Sequence, residues 1–127
     1  MIECKHLRKR VSPSGVKGTP EFVHFFSSLD KESYLYRIIK EGLDTLKEDM
    51  FAGTKIQKKK FPKEYVEKYQ INNLFKLNLD RRNRLTYTIL AEGRDKIVIV
   101  IEFLDHKTYA RRFGYRTWEL WNFNTQL

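Results

Sequence analysis

Apolar residues recur at helical spacing through the first half of the chain and in short runs through the second. Phe22, Phe25, Phe26 and Leu29 fall on one helical face. Thr19-Pro20-Glu21, just before them, reads as a helix start: a threonine N-cap, proline at the first helical position and an acid near the positive helix end. Ser27-Ser28 interrupts that helix, and Asp30 is placed to cap a second one. Leu35, Ile38, Ile39, Leu43, Leu46 and Met50 then repeat at the same period, and Ala52-Gly53 closes the helical region. Two amphipathic helices with so short a join predict a helical hairpin whose apolar stripe needs a sheet to cover.

Beyond Gly53 the pattern changes. A basic run fills residues 55–63, and Pro62 opens one or two helical turns over 62–69. Three strands are expected at about 73–79, 84–90 and 96–104. Asp80-Arg81-Arg82-Asn83 and Glu92-Gly93-Arg94-Asp95 join them as short polar connections suited to antiparallel hairpins. Residues 97–103 carry one polar side chain, Glu102, so this strand is expected at the centre of the sheet. Lys76, Asn78, Arg84 and Thr86 alternate with apolar neighbours, so the sheet should bury one side and offer cations on the other. A short helix after Asp105 and an aromatic tail over 116–127 complete the chain. Residues 1–18, with Pro13, Gly15 and Gly18, form a basic extension or an edge strand drawn from 2–11 or 11–17. The expected class is α+β: a helical hairpin on a small, mainly antiparallel sheet of three to five strands, in a single domain spanning 1–127.

Composition narrows the function. The chain has 127 residues, 41% of them hydrophobic, which suffices for one packed domain. Its net charge of +9 favours an anionic partner: nucleic acid, an acidic protein or a membrane surface. The single cysteine, Cys4, rules out an internal disulfide and fits a reducing compartment. Cys4 and His6 lack companions at metal-ligand spacing, so no metal or cofactor is expected. No apolar run approaches the roughly 20 residues of a membrane helix. The start Met-Ile-Glu-Cys-Lys-His is too polar for a signal peptide. A cytoplasmic protein is the expectation.

Four segments in this order carry a resemblance. They are Val16-Lys17-Gly18-Thr19-Pro20-Glu21-Phe22; Leu43-Asp44-Thr45-Leu46-Lys47 with Gly53-Thr54-Lys55-Ile56; Asn73-Leu74-Phe75-Lys76-Leu77 leading to Arg84-Leu85-Thr86-Tyr87; and Asp105-His106-Lys107 with Tyr109. Together they resemble the RelE/ParE family of toxins from type II toxin–antitoxin systems, over about residues 16–115. The resemblance implies a sheet face that grips its target. RelE-type members enter the ribosomal A site and cleave mRNA, whereas ParE-type members poison DNA gyrase. An antitoxin silences both. Lys76 corresponds to a basic residue on the first of the core strands, Arg84 to the arginine on the next, and His106 and Lys107 to the basic pair after the last strand. Tyr109 corresponds to the catalytic tyrosine, with Tyr115 as competitor because Tyr109 follows Lys107 closely. Asn78 stands where some cleaving members have a second lysine, and Lys107 where an arginine is usual.

Cleavage by 2′-OH attack needs a base, an acid and cations around the phosphate. His106 could serve as either, or be a structural histidine held by Asp105. Arg84 could fork onto the phosphate or pair with Glu102 or Asp105 across the sheet. Lys76 could hold substrate or decorate a solvated face. Lys58, Lys59, Lys60, Arg81, Arg82, Arg111 and Arg112 form the candidate RNA-binding set, though a lysine run also suits a solvated loop. Trp118, Trp121 and Phe123 suit a folded-back tail, an antitoxin contact or a dimer surface. The leading expectation is an mRNA endoribonuclease acting without metal on the ribosome, with an acidic antitoxin as partner, in a homodimer or a toxin–antitoxin complex. A gyrase-directed protein binder and a non-catalytic RNA-binding module of the same fold are the alternatives.

Overall fold

In the computed structural model, which describes residues 9–114, the helical pattern becomes two helices, α1 (Pro20–Ser27) and α2 (Tyr34–Glu48). The Thr19 hydroxyl accepts from the Phe22 N–H and caps α1. Ser33, not Asp30, caps α2, its hydroxyl accepting from the Tyr36 N–H. Asp30 instead folds the connection, its carboxylate accepting from the Glu32 N–H. Helix α2 stops at Glu48, before Met50, whose N–H donates to the Val11 carbonyl. Gly53 is there for close approach. A Cβ at this position would collide with the Lys76 carbonyl and lie 2.8 Å from the Tyr87 hydroxyl.

Five strands form one sheet: β1 (Gly15–Gly18), β2 (Thr54–Lys55), β3 (Phe75–Asn78), β4 (Asn83–Glu92) and β5 (Asp95–Asp105), in the order β1-β5-β4-β3-β2. β1 runs parallel to β5 and the other pairs are antiparallel. The apolar strand β5, expected at the centre, lies second from the edge, and β4 takes the middle. The edge strand falls at Gly15–Gly18, overlapping the 11–17 alternative. β2 was not expected. β3 begins at Phe75 because Asn73 replaces ladder bonds with its side chain: the amide accepts from the Ile89 N–H and donates to the Ile89 carbonyl. β4 and β5 run on to a tight turn where Gly93 adopts φ +63°.

A bulge in β5 decides which side chains meet. Thr86 faces Glu102 but Tyr87 faces Val100, leaving Ile101 as the extra residue. Val98, Val100 and Phe103 therefore pack with Leu85 and Tyr87 under the helical hairpin, while Ile101 and Leu104 enter a second core on the opposite face. Uninterrupted alternation from Val100 would have driven Glu102 into the hairpin core. The bulge turns it to the other side. Thr19 fixes the bulge, its N–H donating to the Val100 carbonyl and its hydroxyl to the Ile101 carbonyl.

The second core corrects the expectation of an open cationic face. Helices α3 (Lys63–Tyr69) and α4 (His106–Arg112) roof part of that face, burying Ile56, Tyr65, Leu74, Ile101, Leu104, Tyr109 and Phe113. β5 is apolar on both sides because both sides are covered. No helix among the described residues is long and apolar enough to cross a membrane. Cys4, His6, Tyr115, Trp118, Trp121 and Phe123 lie outside the described residues.

Candidate nucleic-acid interface

The uncovered part of the second face holds the cations. Strand register sets Lys76 opposite Thr86, and Arg84 opposite Asn78 on one side and Leu104 on the other. Arg84 Cζ lies 4.5 Å and Lys76 Nζ 5.2 Å from the centroid of the Tyr109 ring. Tyr109 is buried and stacked on Phe113 at 4.4 Å, so its ring is a fixed platform whose π-face attracts both cations. Burial, then the charges of Arg84 and Lys60, push the Lys76 pKa below that of an ordinary lysine. The Nε of Arg84 is buried and has no hydrogen-bond partner among the described residues. Lys76 and Arg84 are both half-buried. Orphaned buried donors cost about 1–3 kcal/mol. Crowded like charge favours an incoming anion with oxygen acceptors.

The carboxylates that could have quenched this patch are engaged elsewhere. Glu102 accepts from Arg112 Nε at 3.0 Å and from Nη2 at 2.7 Å, while Arg112 Nη1 reaches Glu64 at 2.9 Å. The Tyr65 hydroxyl donates to Glu102 and lies 2.9 Å from the Thr86 hydroxyl. This network bolts α3 and α4 to the sheet. Burial alone would lower the Arg112 pKa, but the hydrogen bonds to Glu102 and Glu64 overcome it and raise it. Burial, helped by the bond to Glu102, holds the Tyr65 phenol well above its ordinary value. Arg112, assigned to the RNA-binding set on sequence, is thus bound to two acids. The ion pair considered between Arg84 and Glu102 or Asp105 is not formed.

Asp105 is the N-cap of α4, accepting from the Thr108 N–H at 2.8 Å, and this bond leads in holding its pKa below the usual carboxylate value. His106 and Lys107 follow it, both exposed. With Arg81, Arg82, Asn83 and Asp105 they line an open groove of about 610 Å³. The turn carrying Arg81 and Arg82 is tied together through Asp80. Asp80 accepts from the Arg82 and Asn83 N–H groups and from the Tyr34 hydroxyl at 2.7 Å. Arg111 is exposed on α4. Lys58, Lys59 and Lys60 form an exposed 3-10 turn, with Lys60 near enough to Lys76 to act on its pKa.

No family model, curated protein or solved structure matches the chain. The site therefore stands on its own geometry: a half-buried cationic pair on an aromatic platform, flanked by a groove with His106 on one side and a lysine turn on the other. Sequence reasoning missed the Tyr65–Glu102–Arg112 network and the platform role of Tyr109. One signal pointed to the network, namely the lone acid Glu102 within an otherwise apolar strand.

Proposed function

We propose that this chain is a toxin-like endoribonuclease of RelE/ParE type, acting on mRNA at the ribosome. The observation that carries this reading is the Lys76–Arg84 pair, held over Tyr109 with no carboxylate partner among the described residues. Such a pair suits a phosphodiester whose negative charge grows during attack. In this reading Arg84 contacts a non-bridging oxygen of the scissile phosphate. A base removes the 2′-OH proton, the 2′-oxygen attacks phosphorus, and the bond to the 5′-oxygen breaks as an acid protonates it. Lys76 contributes its charge beside Arg84, and His106 on the groove rim is placed for proton transfer, as base or acid. Lys107, Arg81 and Arg82 follow the flanking phosphates. An acidic antitoxin covering this patch, and a cytoplasmic setting, belong to the same reading.

One observation favours a second reading. Tyr109 is packed beneath the cations, and Asp105 is engaged with Thr108 rather than orienting His106. A non-catalytic RNA-binding module, or a ParE-like binder of a protein such as gyrase, needs no assembled proton carriers. Cleavage of mRNA on programmed ribosomes, run beside a gyrase supercoiling assay, separates the readings. Cleavage that disappears in Arg84→Ala supports the nuclease. RNA binding without cleavage supports the module, and blocked supercoiling supports the gyrase binder.

A further inference from the structure

A second groove opens at the β2 edge of the sheet, bordered by the start of the lysine turn. It has a volume of about 460 Å³, enough for a nucleotide. Phe61 packs against the second core and also lines this groove, so an aromatic side chain borders an open space. Lys55 and Lys58 border it as well, are exposed, and make no ion pair with any described residue. Gln57 and Asn72 are exposed on the same walls, and their amides carry donors and acceptors able to read a base edge. The walls contain no acidic residue.

The groove borders the strand next to the one that carries Lys76. Thr54 of β2 is the register partner of Lys76, so the edge lies one strand spacing, about 4.8 Å, from that lysine's strand. The turn that supplies Lys58 to the groove supplies Lys60 to the neighbourhood of Lys76. An aromatic face beside a basic track is the arrangement that holds single-stranded nucleic acid, because every base has a π-face and every nucleotide a phosphate.

We propose that this groove is a nucleotide subsite for single-stranded RNA, in which a base stacks on Phe61 while Lys55 and Lys58 hold its phosphate, next to the phosphate bound at Lys76 and Arg84. The substrate is thereby a splayed single strand and not a duplex, whose bases are already stacked. The subsite extends the nuclease reading but needs no cleavage to operate.

The test uses a fluorescently labelled RNA hexamer with 2′-O-methyl groups, which blocks 2′-OH attack, and matched hexamers with one abasic position moved along the strand. In anisotropy titrations, wild-type protein should bind the intact strand about 5- to 150-fold more tightly than the strand lacking the stacked base. Phe61→Leu keeps apolar bulk and should abolish that discrimination. Lys55→Gln with Lys58→Gln should reduce the salt slope of log K by about 0.7, the share of one phosphate on a single strand. Equal binding of intact and abasic strands by wild-type protein, or undiminished discrimination by Phe61→Leu of native melting temperature, overturns the subsite. So does loss of binding to an acidic polypeptide, with RNA binding unchanged, in the double lysine variant, which would make the groove a protein-docking surface. Base-dependent binding without ribosomal cleavage would remove the nuclease reading and leave the subsite standing. Cleavage without base-dependent binding would do the reverse.

Discussion

The guanidinium of Arg84 sits 4.5 Å above the ring centroid of Tyr109, and that ring is itself fixed by stacking on Phe113. Arg84 is thus placed by an aromatic face and not by an acid, leaving its charge for an incoming anion. Tyr109→Phe keeps the face and should preserve RNA affinity. Tyr109→Leu removes a cation–π contact of about 0.5–2 kcal/mol, weakening RNA binding by about 2- to 30-fold. Anisotropy titration of both variants, after a melting curve to confirm folding, decides the matter. Equal losses in both would show that the hydroxyl, and not the ring, does the work.

Arg112 should matter for stability and not for RNA. Its guanidinium joins Glu102 on the sheet to Glu64 on α3. Arg112→Gln leaves Glu102 half-buried without its cation, which should cost about 2 kcal/mol, reduced from the fully buried case by partial solvent access. Urea denaturation should show an earlier midpoint, with the salt slope of RNA binding unchanged. A native midpoint with a shallower salt slope would return Arg112 to the binding surface.

The turn that presents Arg81 and Arg82 should be acid-sensitive. The Tyr34 hydroxyl, followed by the Arg82 N–H, holds the Asp80 pKa far below its ordinary value. A carboxyl with a depressed folded-state pKa stabilises the protein above its unfolded value, about 3.9, and that stability is lost as pH falls through the folded value. Wild-type melting temperature should therefore drop below pH 4 more steeply than that of Asp80→Asn. Parallel profiles for the two proteins would contradict the assignment.

The helical hairpin was legible because Phe22, Ile38, Ile39 and Leu46 repeat at helical spacing and have a sheet to cover. The strands were legible from alternation, but their limits were not. Asn73 delays the start of β3 with side-chain bonds that imitate a ladder, and no periodicity reports that. The bulge at Ile101 is equally silent, yet it alone places Glu102 beside Arg112 instead of in the hairpin core. Lys76, Arg84 and Tyr109 were selected from the sequence, and the structure gathers them on one patch. His106 and Lys107 lie in the neighbouring groove. Arg112 could not be told from Arg111 by composition. One residue along the helix separates a guanidinium bound to two acids from one in solvent. The platform role of Tyr109 depends on α4 folding back over the sheet, a long-range event that local spacing does not encode.

The central claim is that Arg84 contacts the scissile phosphate in the transition state. The direct measurement is the single-turnover rate of mRNA cleavage on programmed ribosomes by wild-type protein and by folded Arg84→Ala. Loss of one preorganised electrostatic donor should slow cleavage by about 10²–10³-fold. Cleavage by Arg84→Ala at the wild-type rate would contradict the account.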